Sequence, residues 1–122
     1  MLNIDYIEES EISISAASDS LKKFADQIRE ISSEFSFPVV GNESVSKILV
    51  RQSSSKILAQ VDGSNLVISG NSICLENLSD NIPWDAEDPE NGVEYHIHYD
   101  RATATEFLDS NSPDLVFTKN RQ

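Results

Sequence analysis

Positive charge is what this sequence has least of. Nine Lys and Arg stand against 21 Asp and Glu, a formal net charge of −12. Phosphate backbones and anionic lipid headgroups repel a surface of that sign. Neither nucleic acid nor membrane is therefore expected as a partner. Basic proteins are attracted instead, at a rate that falls with salt. Cysteine is nearly absent. Cys74 stands alone, which excludes an internal disulfide and a zinc site of several thiolates, and suits a reducing compartment. Glycine is sparse too: Gly41, Gly63, Gly70 and Gly92 are scattered and form no phosphate-cradling loop. No apolar run approaches the roughly 18 residues that span a bilayer. The start, "MLNIDYIEESEIS", lacks the basic stretch and apolar run of a secretory leader. The expected location is the cytoplasm.

The 122 residues are 39% hydrophobic and 25% charged, enough for one domain with its own core. "EISISA" (11–16) alternates as a half-buried strand, with Ile12 and Ile14 inward and Glu11, Ser13 and Ser15 outward. "NIDYI" before it extends that strand or adds a short one. In "SDSLKKFADQIREISSEF", Leu21, Phe24, Ala25, Ile28 and Ile31 form one helical stripe. Ser18 or Asp19 is placed to cap it. Lys22 and Asp26 are spaced to pair, and Pro38 forbids continuation. "SKILVRQ", "KILAQV" and "NLVIS", joined by turn formers, read as an antiparallel meander. "GNSICLENLSDNI" (70–82) reads as a second helix, capped by Asn71 or Ser72 and ended by Pro83. "VEYHIHYD" (93–100) alternates, with Val93, Tyr95, Ile97 and Tyr99 to bury. "DLVFTK" is the last strand. The expected fold is α+β: one domain over 1–122, core about 11–118, order β-α-β-β-β-α-β-β. The sheet is mostly antiparallel, with two helices on one face.

Candidate chemistry is thin. His96 and His98 project from one face of a strand, roughly 6.5–7 Å apart. Two imidazoles at that spacing can share a metal ion, and Glu94 and Asp100 flank them. A catalytic zinc usually takes three protein ligands and a structural one four. The sequence has no third His, so the bland reading is two histidines on a wet or interface-facing strand. Cys74 falls on the apolar face of a helix, the place of a small buried hydrophobe. No Gly-x-Ser-x-Gly elbow appears. The carboxylates Asp85, Glu87, Asp88 and Glu90 sit among Pro, Asn and Gly, a composition of solvated loops, and miss the calcium-loop pattern. Residues 80–114 hold ten acids and only Arg101 as a base, a local net charge of −9. Trp84 lies in that segment. It either anchors a protein interface or folds back over the second helix. The expected function is therefore non-enzymatic binding of another protein, without cofactor. Trp84, Asp85, Glu87, Asp88, Glu90, Glu94, His96, His98 and Asp100 are the candidate contacts. The alternative is a small metal-binding protein or metal-dependent enzyme using His96 and His98. Oligomeric state is open.

The succession "LVISGNSICLENLSDNI", then "HIHYD", then "SPDLVF" resembles immunity family thirty-two of the bacterial polymorphic-toxin systems. The matching positions are Ser69–Gly70, Leu75–Leu78, His96, His98 and Asp100, and Tyr99–Asp100 stands where the family usually shows Glu-Tyr. The resemblance implies an α+β protein without catalytic residues. It would bind and neutralise a cognate toxin inside the producing cell, and its acidity implies a toxin with a basic surface.

Overall fold

The first helix forms where its apolar stripe predicts and stops earlier. In the computed structural model, which describes residues 1–87 and 95–120, α1 runs over Ser18–Arg29 and buries Leu21, Phe24, Ala25 and Ile28. Neither Ser18 nor Asp19 caps it. The N-cap is Ala17, in extended backbone with no side-chain cap. The Ser18 hydroxyl instead donates to the Trp84 carbonyl at 2.5 Å. Lys22 and Asp26 do pair, at 2.8 Å; both are exposed, so the pair adds only a few tenths of a kcal/mol. The second helix, α2, spans Ser72–Asp80, with the Asn71 side chain accepting from the Cys74 amide at its N-terminus.

Eight strands form one sheet: β1 (Leu2–Ile7), β2 (Glu11–Ala16), β3 (Glu34–Val40), β4 (Lys47–Gln52), β5 (Leu58–Asp62), β6 (Asn65–Gly70), β7 (Tyr95–Tyr99) and β8 (Asp114–Lys119). Their spatial order is β5-β6-β4-β3-β1-β2-β8-β7. The α+β class and the expected succession hold, with two strands added. "NIDYI" belongs to a separate strand, β1. Residues 34–40, the end of the expected long helix and beyond, form β3. There Phe35, Phe37 and Val39 alternate with Ser36 and Pro38, a period of two that suits a sheet. Pro38 is tolerated because β1 pairs with β3 only at Val39 and Val40, past the missing N–H.

The expected meander is corrected. Strand β4 pairs with β6 in parallel, and β5 lies outside β6 as its antiparallel neighbour. Four of the seven pairings are antiparallel and three parallel. The sheet curls until its ends approach. The Ile57 amide donates to the Phe107 carbonyl, and the Asp109 amide to the Ile57 carbonyl, both at 2.8 Å. The connection between β7 and β8 thus lines the outer edge of β5. The Ser112 hydroxyl locks this closure: it accepts from the Ala59 amide at 3.0 Å and donates to the Pro113 carbonyl at 2.9 Å. Ser112 and Ala59 are buried. Ser112→Ala orphans that amide, so a loss of about 1–3 kcal/mol is expected. A urea midpoint equal to that of the parent would refute it.

The core lies between the helices and the inward face of the sheet. It includes Leu2, Ile4, Ile12, Ile14, Ile48, Val50, Leu66, Ile68, Leu115 and Phe117 from the strands. The helices also pack on each other, tied by the Ser79 hydroxyl donating to the Ala25 carbonyl at 2.8 Å. The outward face is drier than alternation predicts: Ser13 and Ser15 are buried. The register of β1 against β2 shifts between Ile4 and Tyr6, making Asp5 a bulge. Its carboxylate accepts from Ser13 and Ser15 at 3.1 and 2.8 Å, and from the Asn3 amide group at 2.7 Å. A bulge re-aims one side chain; here it supplies the acceptor that satisfies two covered hydroxyls.

Candidate functional site: the β7 edge

Strand β7 ends the sheet and pairs with β8 alone among the described residues. Its register sets His96 opposite Thr118 and His98 opposite Val116, on the outward face. Both imidazoles are exposed. His96 Nδ1 lies 2.7 Å from the Thr118 hydroxyl. In the same rows across the sheet, Thr118 neighbours Ser15 and Val116 neighbours Ser13. One row further, Glu11 and Asp114 are direct partners. Like charges placed opposite each other are unfavourable in a sheet, so this pair concentrates negative potential instead of cancelling it. Tyr6 donates to the Glu11 carboxylate, and that bond pushes the Tyr6 phenol up to about 12.

The inward face of β7 is different. Tyr99 is buried as expected, and its hydroxyl donates to Asn77 of α2 at 2.8 Å. Burial, and after it the nearby Cys74, raises its pKa above the ordinary tyrosine value. Ile97 is half-buried and Tyr95 exposed, a correction to the fully covered face expected. They line a cleft of about 210 Å³ with Asp80, Asn81, Ile82, Pro83, Asp85 and Ala86.

The candidate residues therefore divide between two sides of one edge. His96 and His98 lie outward; Asp85 lies in the inward cleft, and Glu87 is exposed nearby in sequence. Asp88, Glu90, Glu94 and Val93 fall outside the described residues. Asp100 is turned into its own turn. Its Oδ1 accepts from the Thr103 amide at 2.9 Å, the Thr103 hydroxyl at 3.0 Å and the Ala102 amide at 3.0 Å. The Thr103 amide is the main reason its carboxyl sits below the ordinary aspartate value. Asp100 thus shapes the end of β7. Trp84 packs back against the core, with Lys22 Nζ 5.2 Å over its ring. The side chain placed beside it is on α1, not on the second helix that one of its two readings had it cover.

Ion pairs among the described residues are Lys22–Asp26, Arg29–Asp80 and Arg51–Glu34. Asp5, Glu11, Asp85 and Asp114 are in none of them. Asp5, Glu11 and Asp114 were missed as candidates because they lie far from the histidines in the chain. Only the pairing of β2 with β8 brings them to the same face. No group of three or more His, Cys, Asp or Glu able to hold a metal occurs among the described residues. No described helix is long and apolar enough to cross a membrane.

The family described as Immunity protein 32 matches residues 11–37 and 65–120. The chain belongs to that family. No curated protein and no solved structure gives a significant match. The match to this immunity family takes in β2, α1, β6, α2, β7 and β8, so it contains the whole β7 edge and the strand pair that supports it. Strands β4 and β5 lie between the matched segments.

Proposed function

We propose that this immunity protein neutralises a cognate bacterial toxin by binding it through an acidic surface centred on the β7 edge, without catalysis. The observation that carries the reading is membership of the immunity family, over a match that contains β7 and β8. The charge supports it. A toxin that cleaves or modifies nucleic acid needs a basic cleft. Carboxylates that form no ion pair among the described residues can occupy such a cleft in place of phosphate. Asp85 and Glu87 on one side, with Glu11 and Asp114 on the other, would let a partner straddle the edge. His96 and His98 would lie between them, and Trp84 beneath as support. Asp88, Glu90 and Glu94, outside the described residues, belong to the same proposal as acidic contacts. Such a protein works in the compartment where its toxin would act, and the expected one is the cytoplasm.

The test is complex formation with the toxic domain encoded beside the immunity gene. Replacing Asp85, Glu87, Asp88 and Glu90 by Asn or Gln is expected to weaken the complex at least tenfold, about 1.4 kcal/mol, with the thermal midpoint unchanged. An affinity indifferent to all four replacements would remove the acidic-surface reading.

A further inference from the structure

We propose that two copies of this protein pair along β7 around one zinc ion, held by His96 and His98 of each copy. The inference does not depend on the toxin reading, but it uses the same edge, so the zinc dimer and the toxin complex would exclude each other. It starts from the strand "YHIHY", Tyr95–Tyr99, which reads the same in both directions. An antiparallel pair of such strands centred on Ile97 places Ile97 against Ile97, His96 against His98 and Tyr95 against Tyr99. Every residue meets its own kind, which is the self-complementarity a two-fold interface requires.

Topology makes the pairing available. Of the two terminal strands, β5 has its edge occupied by residues 107–112. Strand β7 has no second strand beside it among the described residues. Its two histidines are exposed on one face. Within a copy they stand roughly 6.5–7 Å apart along the strand. Across the new ladder each would face the other copy's histidine at about 5 Å. Four imidazoles then surround one point, which matches the four-coordinate nitrogen shell that zinc accepts.

Two further observations favour a metal over simple strand addition. One chain is incomplete: no third ligand joins the histidines among the described residues, and the second copy supplies the missing two. The Thr118 hydroxyl at 2.7 Å from His96 Nδ1 takes the place of the oxygen that ordinarily orients a metal-bound imidazole through its other nitrogen. Association without a cation is disfavoured, because each copy carries −12 and a five-residue ladder buries little surface. The dimer is therefore zinc-dependent.

Tag-free protein, freed of metal by EDTA and dialysed, is to be titrated with zinc chloride while its mass is followed by light scattering after gel filtration. The mass should rise from 13.6 kDa to twice that value. Saturation should come at one zinc per two chains, and EDTA should reverse it. Magnesium should leave the monomer unchanged. The His96→Asn/His98→Asn variant alters two exposed side chains, so it should keep the parent's circular dichroism and thermal midpoint while losing the doubling. A mass that stays at one chain under saturating zinc overturns the proposal. So does a doubling that survives in the double variant or appears equally with magnesium.

Discussion

Association of this immunity protein with its toxin should slow by at least tenfold when salt is raised from about 0.01 M to about 1 M. That change shortens the screening length from about 30 Å to about 3 Å, and electrostatic steering typically supplies ten- to thousandfold of an association rate. The dissociation rate should move far less, because steering acts on the encounter and close contacts act on the exit. The expectation rests on which carboxylates stand outside the ion pairs of the described residues. Asp26, Asp80 and Glu34 have cationic partners, whereas Glu11 and Asp114 face each other. Stopped-flow mixing across a salt series measures it. A flat association rate would leave net charge as an aid to solubility and nothing more.

Phe24→Ala is expected to be the most damaging single truncation, costing about 4 kcal/mol. Loss of a buried Phe side chain ordinarily costs about 3–5 kcal/mol, and edge-to-face aromatic pairs add to that. Phe24 is fully buried. Its ring meets Phe37 at 5.4 Å and 72°, and Phe35 at 6.2 Å and 70°. It therefore joins α1 to β3 at the middle of the sheet order. Domains of this kind are stable by only about 5–15 kcal/mol, so the variant should lose a large share of its folded population on warming. Urea denaturation followed by circular dichroism reads the effect. A loss under about 1.5 kcal/mol would mean the site collapses onto the gap far better than a rigid core can.

Local pattern made much of the fold legible. The stripe Leu21–Phe24–Ala25–Ile28 marks α1 because a helix must turn one face to the core. The alternation in "YHIHY" places both histidines on one face. Other features depend on contacts between distant segments, which no local period encodes. The parallel pairing of β4 with β6 requires β5 to swing outside, and the short connections are compatible with either arrangement. The capping expected of Ser18 failed because its hydroxyl is claimed by Trp84, far along the chain. Residues 34–40 carried a readable period of two in Phe35, Phe37 and Val39, masked by the helical stripe running into them. At the candidate site, the strand face was legible. The turning of Asp100 into its own turn and the approach of Glu11 to Asp114 were not, since both follow from how β7 and β8 are joined and docked.

The parallel ladder of β2 with β8, from Glu11–Asp114 to Ala16–Lys119, has a bearing on timing. During synthesis β2 waits beside an empty lane until β8 emerges. Neither β7 nor the histidines it carries can take their places before then, because β7 is held to the sheet through β8. A chain cut before β8 therefore lacks the β7 edge altogether.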